Sequence, residues 1–153
     1  MNLAYIAGAF RAPTSIGIEA NVRRAMRWAA TINLAGQGEW FAHCPHSACY
    51  DVWVQMIQPL TPERLTNEAI ADLVNSNNQF WLAGDLLILE HAQLIVLTPG
   101  WFNSEGSRLE FSFAIQHRIE QLEVYPETQL DSLTIKLKEI TNAIYLKRGP
   151  TSS

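Results

Sequence analysis

Apolar and polar positions follow two rhythms along the chain. Four short runs are almost wholly apolar: Leu3–Ala7 (LAYIA), Trp40–Cys44 (WFAHC), Gln93–Thr98 (QLIVLT) and Leu122–Tyr125 (LEVY). Glycine or proline bounds most of them, so they read as strands. QLIVLT is apolar on both faces, as a strand in a covered parallel sheet must be. Between these runs the apolar positions recur at helical spacing. Ile18, Val22, Ala25, Ala29 and Ile32 mark a helix over 18–34, ended by Gly36 and Gly38. Glu19 and Arg23 form an i,i+4 pair on its wet side, which Arg24 and Arg27 extend. Thr61-Pro62-Glu63 starts a second helix reaching about Val74, broken by Asn75–Asn78. Gln79–Glu90 is a third, with Trp81, Asp85 and Ile88 on one stripe and Leu82, Leu86 and Leu89 on the next. Ser107–Glu120 is a fourth, with Leu109, Phe113, Gln116 and Ile119 in phase. Thr128–Leu146 is the last, with Leu130, Leu133, Leu137, Ile140 and Ile144 as its stripe. His46–Pro59 reads as irregular or partly helical, and Gly149–Ser153 as a frayed tail.

Alternating strands and helices predict an α/β protein: a small doubly wound parallel sheet with helices on both faces and the first strand inside it. The chain forms one domain over 1–153 with its core in about 3–146. Ligands in such folds bind outside the carboxyl ends of the strands. That edge collects Gly8–Gly17, Cys44–Ser47 and Pro99–Ser107 into one cleft.

Composition narrows the partners. With 48% hydrophobic and 17% charged residues the chain is an ordinary globular one. Its net charge is −4, with no basic track, which argues against a polymeric nucleic acid. No apolar run approaches the ~18 residues of a membrane span. The start, MNLAYIAGAF, lacks the basic region and cleavage site of a signal peptide. Two cysteines, Cys44 and Cys49, make no disulfide framework, so a reducing, cytoplasmic setting is expected.

Several cleft residues carry candidate chemistry. Glu110 lies in what reads as the first turn of the fourth helix, and two readings stand. Ser107-Arg108-Leu109-Glu110 fits a capping box, in which the glutamate serves only the helix. Equally, the positive end of the helix would keep a first-turn carboxylate ionised, fit to attack an anomeric carbon and carry a glycosyl group. Ser104, Ser107 and the helix amides suit a phosphate, with Gly106 leaving room for close approach; loop and cap chemistry explains the same residues. Asp85 is a solvated helix residue or a second carboxylate aimed into the cleft. Arg11 suits a phosphate or is simply solvated. Phe10, Trp81 and Trp101 stack on a base or pack the sheet. Glycines around Gly8 spell neither a dinucleotide fingerprint nor a Walker loop, so neither NAD nor ATP is expected. His43, Cys44, His46 and Cys49 are too crowded around Pro45 to surround a tetrahedral metal, and no metal or other cofactor is expected. His43 and His46 instead fall on the two sides of a strand end, which puts one of them in the cleft.

Read together, Tyr5-Ile6-Ala7-Gly8, the Arg11 loop, Cys44-Pro45-His46, Gly84-Asp85-Leu86, Leu97-Thr98-Pro99-Gly100-Trp101 and Ser104-x-Gly106-x-x-x-Glu110 form a pattern. It resembles the nucleoside 2-deoxyribosyltransferase-like superfamily, in a branch with a Leu-x-Pro-Gly-Trp signature, over roughly Leu3 to Tyr125. The resemblance implies a flavodoxin-like fold, a homo-oligomer whose neighbouring subunit helps close the site, and a nucleoside or nucleotide as ligand. It implies that Glu110 is the nucleophile at C1′ and that Asp85 binds the sugar and assists proton transfer. It also implies ligand contacts at Tyr5, Gly8, Phe10, Arg11, His46, Gly100 and Trp101. The transferases typically place Asp six residues before the glutamate; here Ser104 stands there, as in the relatives that hydrolyse deoxynucleoside 5′-monophosphates. Arg108 departs from the small residues usual nearby. The function expected is therefore an N-glycosidase acting on a (deoxy)nucleoside 5′-monophosphate. Base exchange between nucleosides, a non-catalytic nucleotide-binding or sensor domain, and a structural subunit are the alternatives.

Overall fold

The computed structural model describes residues 1–47, 50, 66–76 and 78–148. Four strands form one parallel sheet: β1 (Asn2–Ala7), β2 (Trp40–His43), β3 (Leu94–Leu97) and β4 (Glu120–Glu123), in the order β2-β1-β3-β4. The helices are α1 (Ser15–Ala35), α2 (Asn67–Ser76), α3 (Asn78–Leu89), α4 (Glu105–Gln116) and α5 (Leu130–Arg148). This is the small doubly wound α/β fold that the apolar runs call for, with β1 inside the sheet. None of the described helices is long and apolar enough to cross a membrane.

The pleat of β1 divides the core. Ala4 and Ile6 face one side, where Ala25, Ala29 and Ile32 of α1 meet Leu133, Leu137 and Ile144 of α5. Tyr5 and Ala7 face the other, against Ile95, Leu97, Leu89 of α3 and Ala114 of α4. Both faces of β1 and β3 are thus buried, which is why their sequences lack alternation. Ile18 and Val22 extend the core towards Ala71 of α2.

Several boundaries shift for physical reasons. Helix α1 begins at Ser15, ahead of the apolar stripe, because Thr14 caps it by accepting from the Gly17 amide at 3.1 Å. Helix α2 is present over Asn67–Ser76, where the Thr66 hydroxyl accepts from the Ala69 amide; the expected Thr61-Pro62 start lies outside the described residues. The break falls within Asn75–Asn78 as the sequence predicts, α2 ending at Ser76 and α3 starting at Asn78, while the Asn75 side chain donates to the Ala12 carbonyl. Strand β4 sits two residues earlier than the apolar run, although the Val124 amide still donates to Leu97 and prolongs the pairing. Helix α5 starts and ends two residues later than the pattern suggested. Residues 45–47 are helical; most of the rest of His46–Pro59, together with Cys49 and the 149–153 tail, lies outside the described residues.

The largest correction concerns α4. It runs Glu105–Gln116 rather than Ser107–Glu120, and its cap is Ser104, whose hydroxyl accepts from the Ser107 amide at 3.3 Å. Its buried face is Ser107, Glu110 and Ala114, while Leu109 is exposed. Glu110 is therefore in the second turn, and no capping box forms.

Candidate active site

At the sheet's carboxyl edge β1 and β3 part company, since their neighbours lie in opposite directions: this is the switch point at which doubly wound folds hold ligands. Gly8 ends β1 there. A β-carbon at Gly8 would fall 2.2 Å from Thr98 Oγ1, and Thr98 in turn donates through both its amide and its hydroxyl to the Ala7 carbonyl. Only glycine lets the two strand ends close together. The Gly8 carbonyl is also 2.8 Å from His46 Nε2, so the loop after β2 is pinned to the end of β1.

Around that point lies a cleft lined by Gly8, Phe10, Arg11, His46, Trp81, Leu82, Asp85, Ser104, Gly106, Ser107 and Glu110. Loops after β1 and β2, helix α3 and the start of α4 each contribute. Most residues singled out from the sequence come together here. Tyr5 lies beneath them on the sheet and does not line the cleft itself. Gly100 and Trp101 do not reach it. Gly100 holds a left-handed φ of 82° to open the short turn Trp101–Asn103, and Trp101 packs on Phe111 and donates to Glu123. Arg108 also points away, donating to the Phe102 carbonyl at 2.8 Å. Ser107, a phosphate or cap candidate from the sequence, lines the cleft as well; Leu82 is the wall residue the sequence does not mark, because it falls on a core stripe.

Glu110 is 5% exposed. Its Oε1 accepts from the Tyr5 hydroxyl at 2.7 Å, and its Oε2 has no partner among the described residues. Ser107 Oγ and His46 Nδ1, also buried, are likewise without partners among the described residues. Three unsatisfied polar atoms on residues lining one cleft are costly in a folded protein unless something polar comes to meet them. The Gly8 carbonyl can only accept, so neutral His46 carries its proton on Nε2 and offers Nδ1 as an acceptor. Burial holds the His46 imidazole down at about 4, with the Gly8 contact opposing that shift.

The carboxylates are perturbed the other way. Burial pushes Glu110 up to about 8; the Tyr5 hydrogen bond pulls it down and the charge of Asp85 pushes it further up. Burial raises Asp85 to about 7. The helix-dipole expectation of a Glu110 ionised at neutral pH is thus overturned: the residue is beyond the first turn, and desolvation outweighs the dipole. Asp85 is half-buried in the cleft wall and not on an outer face. Near pH 7–8 the two acids together hold about one proton.

The cleft mouth is polar. Ser104, Gly106 and the first-turn amides of α4 stand on one side. Arg11 stands on the other, 3.4 Å from Glu105 in an exposed ion pair. Among the described residues no group of three or more His, Cys, Asp or Glu side chains is placed to hold a metal ion. Phe10 lies against the His46 ring, 5.5 Å between centroids, leaving an aromatic wall above the carboxylates.

Fold and site together define a parallel α/β protein with one buried and one half-buried carboxylate, both raised, in a strand-end cleft. No protein-family model, curated protein or solved structure matches this chain.

Proposed function

We propose that this protein is an N-glycosidase that cleaves the base–sugar bond of a (deoxy)nucleoside 5′-monophosphate. One observation carries the reading: a buried glutamate, held through one oxygen by Tyr5, keeps its other oxygen unpartnered in a cleft it shares with a second perturbed acid. The resemblance to the nucleoside 2-deoxyribosyltransferase-like superfamily gives the pair its roles.

Ionised Glu110 attacks C1′ as the C1′–N bond breaks through an oxocarbenium-like transition state, and Asp85 delivers its proton to the departing base. A covalent glycosyl ester on Glu110 results. Water then attacks C1′, giving up a proton to Asp85, and Glu110 is released; a second base in place of water gives exchange instead. The productive form has one proton on the pair, residing on Asp85. Developing positive charge on the sugar favours that arrangement, because a neighbouring cation stabilises the ionised glutamate. Phe10 supplies a face for the base. A 5′-phosphate fits the mouth, where the Ser104 hydroxyl, the free amides of α4 and Arg11 are gathered. Arg11 would leave Glu105 for the phosphate, a small cost because the existing pair is exposed. Exposed Leu87 of α3 and Leu109 of α4, on helices that wall the cleft, favour a neighbouring copy of the chain completing the site.

The test is free-base release, followed by chromatography, from a panel of nucleosides and their 5′-monophosphates. The parent is expected to release base from a monophosphate and Glu110→Gln to release none. Equal release by both would overturn the nucleophile. Absence of release from every member, with or without an acceptor base, would leave a binding domain.

A further inference from the structure

The opposite face of the sheet carries a second opening. Arg24, Arg27 and Trp28 of α1 line one side of a groove of about 470 Å³. Pro99, Pro126 and Thr128, from the loops after β3 and β4, line the other. The cleft lies across the sheet from it, walled by α3 and α4, so the two share no lining residue.

The charges here are unusually free. Arg23, the neighbour of Arg24, is tied to Glu19. Among the described residues Arg24 meets only an Asn21 side-chain oxygen, at 3.3 Å, and the Arg27 guanidinium meets no hydrogen-bond or ion-pair partner. Among the described residues no acidic side chain lines the groove. Glu127 and Asp131 lie close to Thr128 in sequence but form no part of the wall. In a chain of net charge −4, two guanidiniums one turn apart on a single groove, with no acidic partner among the described residues, concentrate positive charge.

Shape and chemistry then specify the occupant. Trp28 is half-buried, anchored on the core of the α1–α5 side, so its exposed part is a fixed aromatic surface. Pro99 and Pro126 make the facing wall stiff, because proline fixes φ. The volume lies in the range of small-molecule sites, about 300–1,000 Å³. Arginine forks match phosphate oxygens two at a time.

We propose that this groove is a second ligand site, taking a small anionic aromatic molecule of the nucleotide class, with phosphate on Arg24 and Arg27 and the ring on Trp28. The site stands independently of the chemistry of the cleft.

Isothermal titration of the Glu110→Gln protein, in which no ligand is consumed, tests it. The probes are inorganic phosphate, a deoxynucleoside and its 5′-monophosphate. The monophosphate is expected to bind the groove, and Arg24→Gln/Arg27→Gln to weaken that event at least tenfold without lowering the melting temperature. Trp28→Leu is expected to weaken the monophosphate and leave inorganic phosphate unchanged. Two sites per chain falling to one in the double arginine variant would show groove and cleft both occupied. One site that the same variant abolishes would show the groove filled and the cleft reading failing. Unchanged affinity and site number in the arginine variant, no loss with Trp28→Leu, or no binding by any probe would overturn the proposal.

Discussion

Glu110 shows most clearly how the environment of one residue outweighs its place in a pattern. Its carboxyl rises from the ordinary 4.5 to about 8 because burial removes water, and Asp85 follows to about 7. The sign for stability follows. In the unfolded chain these acids ionise near their usual values, whereas the folded state holds their protons until pH 7–8. Stability is therefore highest below about pH 4 as far as these two groups are concerned, and it is lost as pH rises through 8. Glu110→Gln removes the Glu110 share of that loss, about half. The variant is expected to be more stable than the parent at pH 8.5, by on the order of 2 kcal/mol and with a higher melting temperature, and no more stable at pH 4.5. Thermal melts across this range check it, and parallel curves would contradict the assigned burial. Tyr5→Phe removes the one hydrogen bond that lowers the Glu110 pKa, so the basic limb of the pH–rate profile should move upward and turnover should fall. A profile unmoved on that limb would separate Tyr5 from the glutamate. The sequence identified Glu110, Asp85 and His46 as residues of interest, but it gave the wrong phase for Glu110. A buried carboxylate does not register as an inward position, so Leu109 and Phe113 looked like the inner stripe when Ser107, Glu110 and Ala114 are.

At the scale of elements, the strands were the most legible because a parallel sheet buried on both faces writes itself as uninterrupted apolar runs. Helix starts were less so. Ser104 and Ser107 are both good caps on paper, and only the extended backbone at Ser104 decides between them. Ser104 consequently has two duties. Ser104→Ala is expected to cost about 1 kcal/mol of stability through the cap. It should also weaken a 5′-monophosphate more than the matching nucleoside; equal weakening would remove the phosphate role and leave the cap. Gly100 and Trp101, expected at the ligand, serve instead as a fastening. Gly100 turns the chain and Trp101 ties the turn to α4 and β4 through Phe111 and Glu123. Gly8 is the reverse case, a glycine expected to serve the ligand that first serves the fold. Gly8→Ala forces a β-carbon onto Thr98 Oγ1, and a loss of about 1–3 kcal/mol is expected in chemical denaturation. Full stability in that variant would mean that the β1 and β3 ends part easily.

For the whole molecule, the strand order β2-β1-β3-β4 matters more than any one residue, because it makes a crevice between β1 and β3 and brings three separate loops to it. That much follows from alternating strands and helices together with the handedness of their crossovers. The sequence could not supply the depth of the crevice, and depth is what turns two ordinary acids into a pair sharing a proton. The pair predicts a narrow bell-shaped pH dependence of kcat/KM, with limbs near 7 and 8, in place of a single rise near 4. The central claim is that Glu110 bonds to the sugar, and mass spectrometry reads it most directly. Enzyme quenched during turnover of a 2′-fluoro nucleoside 5′-monophosphate, whose ester is slow to hydrolyse, should gain the mass of the sugar phosphate on the peptide carrying Glu110, with none gained in Glu110→Gln. Base release with no adduct, or an adduct on any other residue, would contradict it.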